Sequence, residues 1–176
     1  RHTKAMPFAR EVFEYDSLVN IAKMKTHSLA GVSLCLKNVF GFTPTRRQKL
    51  MYHPFIRTAV LDMNQAIRSD FCLVDGVWGN EFDEIKSSPV NAGVVVGGEN
   101  LLAVDEVAAA VMGIDVGTLK TYREAWDLFG KPEIVQTGAP LHEICGKLRQ
   151  GCLPATRFRY LKEAAGSLCY RAVFRH

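Results

Sequence analysis

The sequence predicts an α/β protein with an open, mainly parallel sheet and helices packed on its faces. Three short apolar runs have the length and the branched-residue content of buried strands, namely Leu18–Ala22, Phe71–Val74 and Ala92–Val96. A stretch with helical spacing separates the first two runs, an irregular acidic stretch over Gly79–Asn91 precedes the third, and further helical stretches follow it. Strands separated by helices favour a parallel sheet. At 176 residues the chain is long enough for one domain with a sizeable core.

The first strand leads into a crowded polar turn. Its members are Lys23, Lys25, Thr26, His27 and Ser28. Apolar residues then recur at helical spacing, at Leu29, Val32, Leu36, Val39 and Phe40. Thr26 or Ser28 can cap this predicted helix and Gly41 can end it. A strand, a polar turn and a helix N-terminus would present free N–H groups to an anion.

The later elements follow from caps and apolar stripes. A second helix is predicted over Phe55–Arg68 with Pro54 at its start, a third begins after the cap Asn100, and a fourth runs from the cap Asp115 to Gly130. A last, peripheral strand is predicted over 133–137. We expect a core built from both strands and helices, which includes Ile21, Leu36, Val60, Val74, Val95, Val104 and Val111.

Strand-end topology gathers several polar residues at one edge. His27 and Asp75 follow the first two strands, and the carboxyl ends of parallel strands meet at the ligand-binding edge of such sheets. The 12-residue connection before Pro54 is long enough to return His53 to the same edge. We therefore predict that His27, His53 and Asp75 share one cleft.

The first strand and the helix after it contain a KxKTH turn, a Lys-Asn pair and Phe-Gly, which stand here as Lys23, Lys25, Thr26, His27, Lys37, Asn38, Phe40 and Gly41. Later landmarks are His53-Pro54, Leu73-Val74-Asp75-Gly76, Ala103-Val104-Asp105 and Met112-Gly113. Together these motifs resemble the family catalogued as domain of unknown function 362 (DUF362). The resemblance implies a core domain over 15–138, an N-terminal connection over 1–14 and a basic tail over 139–176. Because family members usually carry further sequence before this point, we expect a missing N-terminal portion.

The candidate site suits a small anionic metabolite and proton transfer. We assign catalytic roles to His27, His53 and Asp75, and ligand-binding roles to Lys23, Lys25, Thr26, Lys37, Asn38 and Asp105. Lys37 stands in an apolar helical pattern, where an unpaired ammonium is costly, so we expect it to bond to Asp75, Asp105 or an anion. Plainer readings exist for each residue: a solvated lysine, a helix-capping histidine, a turn aspartate or a first-turn acid. Two histidines and two carboxylates could instead bind a metal, but no HxH or HExxH spacing supports one, and we predict none.

Composition excludes several classes of protein. There is no GxGxxG after the first strand, no GxxxxGK[ST] and no GxSxG, and no apolar run approaches a membrane span. Five cysteines without a CxxC pair indicate reduced thiols in a cytoplasmic protein. We predict no cofactor in this chain; the family's iron–sulfur association implies a ferredoxin-type module on a separate domain or partner. Net charge is +4, with the basic residues concentrated after His142. The alternative function is therefore a non-catalytic module that docks on an acidic protein or nucleic acid through this tail.

Overall fold

A mixed sheet forms the centre of the fold. In the computed structural model, residues 6–82 and 88–146 are described. The strands in this part of the chain are β1 (Val19–His27), β2 (Gly31–Ser33), β3 (Phe71–Asn80), β4 (Pro89–Val90) and β5 (Val94–Gly98). Their order is β2-β1-β3-β4, and β5 pairs with β3.

The helices lie between and after these strands. They are α1 (Cys35–Asn38), α2 (Arg46–Tyr52), α3 (Ile56–Ala66), α4 (Leu101–Val111), α5 (Lys120–Phe129) and α6 (Leu141–Ile144). Single 3-10 turns occur at Arg10–Phe13, Val39–Phe42, His53–Phe55 and Val116–Thr118. The α/β class predicted from the sequence is confirmed.

The expectation of a mainly parallel sheet is wrong. β1 and β3 run parallel, whereas β2 is antiparallel to β1, and both β4 and β5 are antiparallel to β3. The stretch between β3 and β5 holds no helix among its described residues. Since a parallel return needs a crossover of a dozen or more residues, usually through a helix, the short connection reverses the chain direction instead.

The predicted first helix is mostly a β-hairpin. β1 continues through the lysines to His27, a turn covers residues 28–30, and β2 pairs back with Gly31 opposite His27. Gly31 has a φ of +81°, and a Cβ there would stand 2.5 Å from a methyl group of Leu119. Glycine is therefore needed at this turn for both its backbone and its size. Burial alternates along β1 as far as Thr26, so the residues predicted to form a polar turn after the first strand belong to the strand itself.

The later predictions met mixed outcomes. Asn100 caps α4 as expected, because its Oδ1 accepts hydrogen bonds from the amides of Leu102 and Ala103. Asp115 caps the 3-10 turn Val116–Thr118 rather than α5, and Gly130 ends α5 with a φ of +85°. Residues 133–137 form no strand, which contradicts the predicted peripheral strand. The connection before Pro54 contains α2, which opens with a Thr45–Gln48 capping box.

The two faces of the sheet differ sharply in burial. On what we call the covered face, Ala22 and Met24 of β1 and Cys72 and Val74 of β3 are buried. On the open face, the exposed apolar side chains include Val19, Ile21, Phe71 and Val95. Ile21 and Val95 are 62% and 56% exposed, so their predicted burial is wrong. The other five predicted core residues are buried: Leu36, Val60, Val74, Val104 and Val111.

A second apolar cluster packs apart from the sheet core. It contains Val39, Phe40, Tyr52, Ile56, Ala59, Val60, Met63 and Ile67. Met6, Phe8 and Val12 pack against it from the N-terminal segment. Because Tyr52 is fixed in this cluster, the residue that follows it, His53, is held at the end of α2.

Candidate functional site

Two imidazole rings meet at the carboxyl end of β1. The ring centroids of His27 and His53 lie 5.7 Å apart, and the ring of Phe40 lies 6.2 Å from that of His53. His27 is the last residue of β1, and His53 follows α2. The predicted proximity of the two histidines is confirmed, although a helix rather than an extended connection brings His53 there.

The hairpin turn fixes the tautomer of His27. Its Nδ1 accepts hydrogen bonds from the amides of Leu29 and Ala30, at 3.1 and 3.2 Å. An Nδ1 that accepts carries no proton, so the neutral ring carries its hydrogen on Nε2. These two amides therefore bind the imidazole, and the anion cradle predicted at a helix N-terminus does not form.

Asp75 lies away from the histidine pair. It stands opposite Lys23 in the β1–β3 register, and the Lys23 ammonium bonds its carboxylate at 2.8 Å on the open face. Its other carboxylate oxygen accepts the amide hydrogen of Val77. The bond from Lys23, with this amide, lowers the pKa of Asp75. Four residues of strand separate Lys23 from His27, about 13 Å, so the structure does not bring Asp75 into the pair's cleft.

Asp105 is a buried structural carboxylate. One oxygen accepts from the Cys35 amide and the other from the Leu36 amide, both at 2.8 Å, and the Tyr122 hydroxyl donates to it at 2.7 Å. Burial raises the pKa of Asp105 to about 6, although these hydrogen bonds oppose the rise. Because it is fully enclosed and caps α1, Asp105 supports the fold instead of the ligand role predicted for it.

Asn38 also holds the scaffold together. Its side-chain amide donates to the Asn20 Oδ1 at 2.9 Å and to the Ile21 carbonyl at 3.0 Å. Asn20 in turn donates to the Cys35 carbonyl at 3.0 Å. These bonds tie α1 to β1, so Asn38 is a positioning residue for the strand that carries the site.

The remaining predicted ligand residues stand near the end of β1. Lys25 is half-buried and lies in register with Ser33 and Asn80. Thr26 is buried, and its hydroxyl has no hydrogen-bond partner among the described residues. Lys37, on α1, is half-buried, as the sequence predicted. Its bonding to an anion stays a prediction.

A buried acid that was not predicted from the sequence lies next to this site. Glu81 is 4% exposed and follows Asn80, the β3 residue in register with Lys25. Its amide donates to the Ser88 carbonyl. The stretch from Gly79 was predicted to be irregular and acidic, because its polar residues do not show the apolar pattern of a strand. In the structure β3 continues to Asn80. The available signal was a lysine near the end of one strand, Lys25, and an acid that follows the end of the neighbouring strand, Glu81.

Two buried thiols pack beneath the sheet. Cys35 and Cys72 are free and buried, as predicted, and the Cys35 Sγ lies 3.7 and 3.8 Å from the carbonyl oxygens of Asn20 and Leu73. A hydrogen bond to Cys72, burial and the charge of Asp105 raise the pKa of Cys35. Among the described residues, no three His, Cys, Asp or Glu side chains could hold a metal ion together.

Comparison with known families agrees with the motif pattern. A profile of the family described as Domain of unknown function (DUF362) matches residues 1–110. The chain belongs to this family. The match includes β1, both histidines and most of α4, so the site described above lies within the DUF362 region.

A distant relative comes from a cyanobacterium. The "Thylakoid-associated protein sll1697" of Synechocystis is 21% identical over 140 residues, which are 76% of this chain and 44% of that protein. The DUF362 chain thus spans less than half of this relative's length. No solved structure matches the chain. Within the described residues, no helix has the length and apolar character required to cross a membrane.

Proposed function

We propose that this DUF362 domain binds a small metabolite carrying phosphate or carboxylate at the carboxyl end of β1. The observation that carries the proposal is the His27–His53 ring pair, 5.7 Å between centroids, at the end of the strand that also carries half-buried Lys25. The carboxyl ends of β1 and β3 lie at the same edge of the sheet. Ligands of α/β sheets bind at such edges.

The groups at this edge have complementary tasks. The Nε2–H of His27 can donate to an anionic oxygen, because Nδ1 is engaged by the turn amides. Lys25 supplies positive charge, with Lys37 as a further cation on α1. His53 is half-buried and suits proton transfer to or from the ligand. The domain would then be an enzyme or enzyme domain.

A redox setting is the finer part of the proposal. The family's association with iron–sulfur proteins supports it, and in this proposal the cluster resides on a separate ferredoxin-type domain or partner. A cytoplasmic location also stays a prediction. The Synechocystis relative is named as thylakoid-associated, which favours testing membrane fractions as well.

Anion titration of the full chain tests the proposal. Inorganic phosphate and acetate are added while backbone amide chemical shifts are followed. Shifts at residues 25–29 and at 53 are expected. Lys25→Met should weaken binding about 10- to 150-fold, the equivalent of a lost charged hydrogen bond of about 1.5–3 kcal/mol. His53→Asn should also weaken it, and Lys37→Met should do so while the stem packing is retained.

Arg68→Met is the matched control, since Arg68 is an exposed cation at the end of α3. Parent-like phosphate binding in Lys25→Met and His53→Asn would refute the site. So would shifts confined to residues far from β1. An anion that binds equally to the control and to all three variants would indicate non-specific attraction.

The rival function concerns the basic tail, which lies outside the described residues from residue 147 onward. In that reading, Arg157, Arg159 and neighbouring aromatic residues bind single-stranded nucleic acid or an acidic protein. Binding to an oligonucleotide would then fall steeply between low and moderate salt and disappear when the tail arginines are replaced. Phosphate binding at β1 would be unchanged in such variants, so the two functions are separable.

A further inference from the structure

Positive charge is concentrated in the part of the chain that carries the histidine pair. Residues 17–61 contain no aspartate or glutamate. Their seven lysines and arginines are Lys23, Lys25, Lys37, Arg46, Arg47, Lys49 and Arg57. Acids from later elements pair with two of them, because Asp75 bonds to Lys23 and Glu124 bonds to Arg57. Three of the others stand on α2, the helix that ends at His53. This region therefore attracts ligands with more than one negative charge.

One side of α2 carries two of these cations in line with His53. His53 continues the helical backbone, since its φ and ψ are −57° and −38° and its amide donates to the Lys49 carbonyl oxygen. Residues three or four positions apart on a helix are neighbours, with Cβ atoms about 5–6 Å apart. His53 follows Lys49 by four positions, and Lys49 follows Arg46 by three. These three side chains therefore form one stripe, which we call the α2 stripe.

The packing of α2 leaves this stripe accessible. Tyr52 is buried in the second apolar cluster, so the opposite side of the helix faces solvent. Lys49 and His53 are half-buried at the border between the two sides, and Arg46 is exposed. Neither the Lys49 ammonium nor the Arg46 guanidinium forms an ion pair with another described residue. Both charged groups can therefore bind a ligand that lies beside His53.

We propose that the ligand of this site carries at least two linked phosphate groups. This inference rests on the proposed function, in which Lys25, His27 and His53 bind the first anionic group. Lys49, one helical turn from His53, binds the second phosphate, and Arg46, one turn further, binds a third where one is present. A nucleoside diphosphate or another diphosphate ester belongs to this class. A ligand with one anionic group would leave both cations of the stripe without a contact.

Calorimetric titration of the full chain with orthophosphate, inorganic diphosphate and inorganic triphosphate tests this inference. The parent should bind diphosphate about tenfold or more tightly than orthophosphate, because the second phosphate gains a charged hydrogen bond. Lys49→Met should remove most of this preference, while its affinity for orthophosphate should stay within about twofold of the parent. Arg46→Met should weaken the binding of triphosphate more than that of diphosphate.

Two matched variants separate a specific contact from general attraction. Arg47→Met removes the same charge from the same helix, but positions two apart on a helix do not face the same side, so Arg47 lies off the α2 stripe. This variant should keep the preference for diphosphate. Lys49→Arg retains the charge and should keep most of the preference as well. Thermal melts should show parent-like folding for all of these variants, since none of the replaced side chains is fully buried.

The outcomes distinguish this inference from the proposed function. Parent-like diphosphate binding in Lys49→Met, together with weakened orthophosphate binding in Lys25→Met, would overturn the inference and leave the proposed function in place. An equal loss of diphosphate binding in Arg47→Met and Lys49→Met would also overturn it, because the attraction would then be non-specific. Orthophosphate binding that is unchanged in both Lys25→Met and His53→Asn would refute the proposed function, and this inference with it.

Discussion

On the covered face of the sheet, Met24 and Val74 are fully buried beneath α1 and α4, whereas on the open face Ile21 and Val95 keep more than half of their surface in solvent. Both faces belong to the same strands and carry comparable apolar residues. The difference arises from what packs on them, because the helices that contact β1 and β3 in the described chain meet the covered side.

This contrast teaches that apolar content and layer coverage are separate properties of a strand. A strand covered on both faces has apolar residues at both sets of alternate positions, and Leu18–Ala22 has this character apart from Asn20. Its neighbours across the sheet, Phe71 and Val95, extend the same exposed surface. The apolar content of these strands is therefore typical of a sheet with helices on both faces. In the described part of the chain, helices pack on the covered face alone.

The largest expected effect separates the two faces directly. Met24→Ala should lower the free energy of unfolding by about 2–5 kcal/mol, because it opens a cavity between β1, β3 and the helices. Ile21→Ala, three residues earlier on the open face, should change it by no more than about 0.5 kcal/mol. Urea denaturation of both variants measures this. An equally large cost for Ile21→Ala would show that the open face is covered in solution.

The second prediction concerns the only aspartate that is fully buried on the covered side of the described chain. Burial raises the pKa of Asp105 from its usual 3.8 to about 6, so the folded state holds this proton more tightly than the unfolded state. Its contribution to stability is therefore complete below pH 3.8 and declines as the pH rises through 6. Between pH 4.5 and 7.5 the loss should be about 2 kcal/mol.

Asp105→Asn isolates this contribution, because the amide does not titrate. The variant should be less stable than the parent. Its side-chain NH₂ group would face one of the two backbone amides that donate to the carboxylate, and two donors cannot hydrogen-bond to each other. The deficit should shrink by about 2 kcal/mol from pH 4.5 to pH 7.5. Melting curves across this pH range measure it, and a pH-independent deficit would contradict the raised pKa.

The smallest effect is expected for the ion pair on the open face. Lys23 and Asp75 are both nearly half exposed, so their coupling free energy should be under about 1 kcal/mol and should fall as salt is added. Lys23→Met, Asp75→Asn and the double variant give this value as a double-mutant cycle. The lowered pKa of Asp75 means that the contribution is present near neutral pH and is lost in acid. A coupling above about 2 kcal/mol would indicate that something shields this face from water.

Local signals in the sequence predicted part of the fold well. Asn100 caps α4, Gly130 ends α5, and the apolar stripes around Val60 and Val104 are buried. These features depend on neighbouring residues alone. The α/β class also followed from the order of the elements.

Long-range features could not be read in the same way. Leu29, Val32 and Leu36 have the spacing of a helix, but they lie in a hairpin turn, in β2 and in α1. Apolar residues spread over a turn and a strand can by chance have the 3.6-residue spacing of a helix. The His27–His53 pair was predicted from topology, but Asp75 was misplaced, since β3 continues to Asn80 and leaves Asp75 in mid-strand. Glu81 was missed for the same reason.

The capping of α1 by Asp105 has a consequence for the synthesis of the protein. α1 has four residues and no side-chain cap of its own, and its cap is Asp105, 70 residues after Cys35. At a translation rate of about 5–20 residues per second, the ribosome needs roughly 4–14 s to add that residue. Throughout this interval the amides of Cys35 and Leu36 have no Asp105 carboxylate to which they can donate. The Cys35 thiol is likewise not yet covered by α4 and α5. The nascent chain therefore carries an open thiol that the finished protein conceals.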